Sequence, residues 1–177
     1  NYIHAQRKAF LAEFIPVFKR FYQEIGQNAE EVDVQYRSQL FDSDFETLLQ
    51  ASAQKDALTQ YTNVGVHKDD LLFSIKGHPV KKFGSQGQQK SFIIALRLAQ
   101  FDWLKQHKGQ KPVLLLDDIF DKLDNERVAR LIALVSADYF GQVLITDTDP
   151  VRMQALFAQL PGQTQLFQIS DQQATAL

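Results

Sequence analysis

Two adjacent acids, Asp117 and Asp118, close an unbroken apolar run, Val113-Leu114-Leu115-Leu116. A carboxylate at the end of a buried strand can hold Mg²⁺ on nucleotide phosphates, and a neighbouring acid can orient the attacking water. Taken alone the pair is ambiguous, because acids after an apolar strand also cap the following helix. A second group accompanies them. Ser85-Gln86-Gly87-Gln88-Gln89-Lys90 leads into a long apolar-rich stretch, and Ser85 with Gln88 three positions later fits a capping box. A helix start fixed in this way offers free amides, the positive end of a dipole, a hydroxyl at Ser85 and a Gly87 that lets a ligand approach the backbone. Those features suit a phosphate.

The elements that must position these groups follow from periodicity. From Arg7 to Ile25 the residues Phe10, Leu11, Phe14, Ile15, Phe18, Phe21, Tyr22 and Ile25 recur every three or four positions, which predicts an amphipathic helix. Pro16 predicts a kink or break within it, and Gly26-Gln27-Asn28 predicts its end. Val32, Val34 and Tyr36 alternate as in a half-exposed strand. Phe45, Leu48, Leu49, Ala53 and Ala57 predict a second helix with Ser43 or Asp44 as N-cap. After Tyr61, glycines and Pro79 flank a strand at residues 71–75, and we expect a domain boundary there. Residues 88–106 are apolar around nearly the whole circumference, so a buried helix is expected. The run 113–116 predicts a strand covered on both faces by helices. Val128, Leu131, Ile132 and Val135 predict a helix opened by Asp124 or Asn125, and Val143-Leu144-Ile145 predicts a second buried strand. Strand, helix, strand implies a right-handed parallel crossover. A helix near 153–158 and a strand near 165–169 complete an α/β unit.

Composition narrows the class of protein. The chain has 177 residues, 19 Lys plus Arg against 21 Asp plus Glu, 45% hydrophobic residues and no cysteine. Such a chain can bury one full core or two small ones and is not a disordered tail. Its net charge of −2 lacks the overall basic character of many nucleic-acid binders, so cationic patches must be sought individually. No apolar window is long enough for a membrane helix, and the absence of cysteine excludes disulfide and thiolate sites. A cytoplasmic location and no membrane partner are the expectations. His4, His67, His78 and His107 lack metal-ligand spacing, and Trp103 and Met153 read as core.

Five motifs in order resemble the RecF family, DNA-repair ATPases of the ABC class. Ser85-Gln86-Gly87-Gln88-Gln89-Lys90 resembles the signature loop. Gly65-Val66-His67-Lys68-Asp69-Asp70-Leu71 lies upstream of it, Leu114-Leu115-Leu116-Asp117-Asp118 resembles Walker B, Asp121-Lys122-Leu123-Asp124 the D-loop, and Gln142-Val143-Leu144-Ile145-Thr146 the strand leading to the switch position. The resemblance implies an α/β fold. It would be the C-terminal half of an ABC-type ATPase head with parallel strands and covering helices (62–177), preceded by a small mainly helical arm domain (1–61). It implies that Asp117 binds Mg²⁺ through water and that Asp118 acts on the hydrolytic water. It further implies that Ser85, Gln86, Gly87, Gln88, Gln89 and Lys90, with Thr146, serve ATP, the signature residues acting across a head-to-head homodimer. Asp121, Leu123 and Asp124 would line the dimer seam. Lys81 and Lys82, just before the signature loop, would contact DNA. The implied partners are single- and double-stranded DNA at gaps or junctions and mediator proteins of the RecO and RecR type, in replication, damage response and repair. Two departures stand out: Asp121-Lys122 replaces the family's common Ser-Glu, and Lys68 its common Arg.

No G-x-x-x-x-G-K-[S/T] occurs in the chain, so the loop that cradles the inner phosphates is missing. The first residue is Asn, within what reads as a helix, and we therefore expect a fragment or processed product that does not hydrolyse ATP alone and is monomeric. The alternative is a non-catalytic interaction module with vestigial motifs.

Overall fold

The computed structural model describes residues 1–26, 30–137, 139–158, 164–170 and 173–177. Helix α1 (Tyr2–Gly26) runs through Pro16 without a break. Proline removes one i→i−4 bond, and the burial of Leu11, Phe18, Phe21, Tyr22 and Ile25 along one face holds the remainder of the helix. Gln27 and Asn28, expected to close this helix, lie outside the described residues.

Strand β1 (Val32–Arg37) pairs antiparallel with β2 (Asp70–Ile75), and β2 with the short β3 (His78–Pro79). Between β1 and β2, α2 (Phe45–Thr59) starts at Asp44, whose carboxylate accepts from the Thr47 amide at 3.0 Å. Only Ser52 of α2 is buried, so its apolar residues stand largely away from the core. Gly65 ends the approach to β2 at φ +116°, and a Cβ there would lie 3.0 Å from the Phe45 ring, so glycine is required twice over. The following turn is tied down by Arg7, which donates to the Val66 carbonyl at 2.6 Å and to Asp69 at 2.7 Å. The Tyr36 hydroxyl also donates to Asp69. Burial works to raise the Asp69 carboxyl, and the hydrogen bonds from Ser38, Tyr36 and Arg7 outweigh it, leaving it below the ordinary carboxylate range.

The turn α3 (Val80–Phe83) precedes α4 (Gln86–Lys108), the helix that organises the core. Then come β4 (Leu114–Asp117), α5 (Asn125–Val135), β5 (Val143–Thr146), α6 (Pro150–Phe157) and a hairpin of β6 (Phe167–Ser170) with β7 (Gln173–Ala176). β4 and β5 pair in parallel, as strand-helix-strand patterning predicts. Strand β7 was not expected.

Two expectations about burial are corrected. α4 is not apolar all round: Ser91, Phe92, Ile94, Ala95, Leu98, Ala99, Phe101 and Asp102 are buried, whereas Ile93 is 59% exposed. β4 is not covered on both faces. Leu114 and Leu116 enter the core, but Leu115 is 68% exposed and its neighbour Leu144 51%. Side chains alternate across a strand, and among the described residues only one face of the β4–β5 pair is covered.

The boundary expected near Tyr61 does not separate two cores. β1, before it, pairs with β2, after it, and α1 shares one hydrophobic cluster with α4, β4, α5 and Phe140. Among the described residues no helix is long and apolar enough to cross a membrane.

Replacing Leu98, which is fully buried, with Ala should destabilise the chain by about 2–5 kcal/mol. Leu58→Ala, at a residue 86% exposed, should change stability by less than about 0.5 kcal/mol. Urea unfolding of both variants checks the placement of the core.

Candidate functional site

Parallel pairing sets Asp117 directly opposite Thr146. The Thr146 hydroxyl donates to Asp117 and accepts from the Asp118 amide at 3.3 Å. Asp118 has φ +45°, a left-handed conformation that Asp tolerates better than most residues, and it turns the chain sharply out of the strand. The next two residues, Ile119 and Phe120, are buried and anchor that turn. Both acids stay exposed because the chain is pinned on either side of them.

The second group is built around the start of α4. The Gln88 amide donates to Ser85 Oγ at 3.2 Å, and the Ser85 amide donates to Gln88 Oε1 at 2.8 Å, completing both halves of the capping box. The Gln86 and Gly87 amides belong to the first turn and have no partner within the helix, so they are available to an external acceptor. A Cβ on Gly87 would sit 3.2 Å from the Lys122 carbonyl, so this glycine lets the 121–124 turn pack against the helix start. Lys90 Nζ donates to the Asp118 carbonyl at 2.7 Å, joining helix start and acid pair. Asp124 caps α5 by accepting from the Arg127 amide at 2.8 Å.

The structure therefore brings Ser85 to Lys90, Asp117, Asp118, Thr146 and the turn of Asp121, Leu123 and Asp124 to one end of the molecule. Not every side chain there is free. The Gln88 amide group donates to Glu30 at 2.7 Å and that of Gln89 to the Gly84 carbonyl at 2.8 Å. Lys81 and Lys82 are exposed on α3, and among the described residues neither forms an ion pair with the acids; Lys82 lies 5.3 Å from the centre of the Phe83 ring.

Several charged residues escaped sequence reasoning. Behind the β5 end, Arg152 donates to both oxygens of Asp147, at 2.7 and 2.5 Å. Burial pushes the Asp147 carboxyl up, and the Arg152 hydrogen bonds outweigh it, so it lies below the ordinary range. The Arg152 guanidinium is raised by its Asp147 hydrogen bonds, with Asp149 and Asp118 adding to the effect, so Asp118 lies within electrostatic reach. Glu30, Gln88, Ser91 and Arg127 form a separate polar cluster behind the α4 start. One signal was present. Arg127 is a cation in the first turn of α5, where the helix dipole disfavours it, so something else must hold it.

The residues at this end fit a magnesium-nucleotide group. Asp117 presents hard oxygen donors, steadied by a hydroxyl and open to solvent, and Mg²⁺ on phosphates needs only one or two carboxylates. Among the described residues no three His, Cys, Asp or Glu gather as a self-sufficient metal cage.

Comparison with solved structures places this fold. The chain superposes with a TM-score of 0.70, at 25% identity, on a structure of the recombination mediator protein RecF with ATP in the RecFOR pathway, covering 99% of this chain and 46% of that one. It superposes with a TM-score of 0.52, at 14% identity, on an SMC ATPase described for ATP-driven dimerization and DNA-stimulated activation, covering 96% of this chain and 87% of that one. The fold is that of an ABC-type ATPase head. No family model matches the chain. The DNA replication and repair protein RecF of Flavobacterium johnsoniae is 54% identical over 154 residues, 87% of this chain and 43% of that protein. Over the part it spans, the chain is similar to RecF proteins, and it spans less than half the length of the curated relatives it matches.

The Asp147–Arg152 pair makes a pH-dependent contribution to folding. A carboxyl depressed in the folded state stabilises above its unfolded pKa and loses that contribution as pH falls through the folded value. Arg152→Gln should lower stability at pH 7, because it leaves the Asp147 carboxylate without its partner. The gap from the parent should narrow toward pH 3 as the Asp147 carboxylate loses its charge. Urea unfolding at both pH values measures the gap.

Proposed function

We propose that the chain supplies the signature, Walker B and D-loop half of an ATP-operated DNA-repair protein of the RecF kind. Two copies close head to head around ATP on DNA. The observation that carries this reading is one exposed end of the fold on which Asp117, Thr146, Asp118 and the Ser85-capped helix start stand together, in a chain with no phosphate loop. Such a surface is half of a triphosphate pocket.

Each residue has a part. Asp117, steadied by Thr146, would hold Mg²⁺, which would supply positive charge to the phosphate oxygens when bound. Asp118 orients the attacking water and takes its proton. The Ser85 hydroxyl and the Gln86 and Gly87 amides donate to the γ-phosphate of ATP bound by the opposite copy. Gln88 and Gln89 shape that helix start, and Lys90 adds positive charge beside it. Asp121, Leu123 and Asp124 face the partner along the seam. Lys81 and Lys82 track DNA phosphates. Hydrolysis reopens the dimer.

Further support comes from the relatives. The curated proteins are named for DNA replication and repair, and the solved neighbour is a recombination mediator protein with ATP in the RecFOR pathway. The partners in this reading are gapped or junction DNA and mediator proteins of the RecO and RecR type, and the outcome is loading of the strand-exchange protein.

In a RecF-length protein containing this sequence, Asp118→Asn should lower ATP hydrolysis by about 10²- to 10⁴-fold. ATP-induced dimerisation should persist. Asn tolerates the left-handed backbone as Asp does, so the change removes charge without moving the chain. A loss of less than about threefold overturns the assigned role. Lys81→Ala/Lys82→Ala in the same protein should weaken DNA binding and reduce the salt slope by about 1 per lysine. An unchanged slope removes both lysines from the DNA surface.

A further inference from the structure

The polar cluster behind the α4 start joins two loops that the proposed function requires to meet a partner together. Arg127 projects from the first turn of α5. Its NH1 donates to Ser91 Oγ at 2.9 Å and lies 3.5 Å from the Gly87 carbonyl, its NH2 donates to Glu30 Oε1 at 3.2 Å, and its Nε pairs with Asp124 at 3.2 Å. One guanidinium thus touches the signature helix, the end of the D-loop and the segment after α1. The Arg127 and Glu30 side chains are only 15% and 13% exposed, and Ser91 is fully buried. Glu30 has further ties, accepting from Gln88 Nε2 at 2.7 Å and from the Tyr22 hydroxyl at 2.5 Å. Burial works to raise the Glu30 carboxyl, and the donors Gln88 and Tyr22 and the Arg127 charge outweigh it. Burial also raises the Tyr22 phenol, with Glu30 adding to the effect, so Tyr22 is a neutral donor.

We propose that Arg127 is a positioning residue that locks the Ser85-led start of α4 to the 121–124 turn, so that both loops meet a second copy of the head as one rigid edge. This rests on the ATP-clamp reading above. Stability alone is a poor reason for the cluster, because a buried ion pair is commonly matched by well-packed apolar residues of similar volume. Geometry is a better one. A planar guanidinium with five donors can hold Ser91, Glu30 and Asp124 in different directions at once, which a lysine ammonium on a flexible stem does not do. The Gly87–Lys122 backbone approach lies within the span that Arg127 bridges. The signature amides and the seam acids then keep a fixed mutual distance, as a pocket assembled from two molecules demands.

Two measurements test this with Arg127→Gln, Arg127→Lys and, as a variant that leaves no buried charge unpaired by arginine loss, Ser91→Ala. In this chain, hydrogen exchange should quicken by about tenfold in residues 85–91 and 121–124 of Arg127→Gln. Exchange in the α1–α4 core below the first turn should hold. Uniform quickening, or none, overturns the lock. In a RecF-length protein the dissociation constant of the ATP-bound dimer should rise by about 10- to 100-fold for Arg127→Gln and less for Ser91→Ala. Arg127→Lys should rescue only in part, and nucleotide affinity of the dilute monomer should stay within about twofold. Should the parent fail to dimerise with ATP, the clamp reading falls, and the exchange pattern still decides whether Arg127 fixes the two loops. A parent that dimerises alongside an Arg127→Gln variant of equal dimer affinity overturns the inference alone.

Discussion

The register between β4 and β5 is the constraint from which the site follows. Leu114 meets Val143, and three residues later Asp117 meets Thr146. Slipping the pairing by one residue would move Thr146 away from Asp117, and turning β4 by one position would exchange the buried Leu114 and Leu116 for the exposed Leu115. Burial of alternate leucines and placement of the acid are therefore one condition. The same apolar contacts that order the strand decide which oxygen the Thr146 hydroxyl reaches.

The helix start is fixed by a separate mechanism. α4 lies against α1 through aromatic contacts, with the Phe18 and Tyr22 rings 4.6 and 5.8 Å from that of Phe92. Large rings buried on both helices resist axial sliding, because a shift would open voids on one side and clashes on the other. A helix held over its length delivers its first turn to a defined place. Gly87 and Lys90 then connect that turn to the D-loop and to the acid pair. Strand register and helix packing thus meet at one end of the fold by independent routes.

Much of this was legible in local pattern. The capping box at Ser85, the caps at Asp44 and Asp124, and the parallel unit around α5 all come from short-range spacing, which tertiary context left unaltered. The failures concern which surfaces are covered. An apolar run such as 113–116 reads the same whether one face or two are buried, and Leu115 carries no mark of its exposure. The reach of the core past Tyr61 was also hidden, since β1 and β2 pair across a stretch that includes a whole helix and loop. Glu30 and Arg127 are 97 positions apart, and nothing near either announces the other. The roles of Asp117 and Asp118 came from resemblance and their juxtaposition with Thr146 from the fold.

Charge limits what this end of the molecule does by itself. Asp117 ends β4 and Asp118 follows it, and Asp147 and Asp149 follow β5. The positive end of α4 is worth about half a charge. Lys90 turns its ammonium toward the Asp118 carbonyl, and Arg152 is committed to Asp147. A polyanion therefore gains little on this surface until Mg²⁺ and cationic groups from elsewhere offset the acids. In the proposed clamp two such acidic edges would repel each other, and only Mg²⁺ and cationic groups could offset both their charge and that of the triphosphate. A weak half-site and closure that depends on the bound ion would then follow from one charge balance.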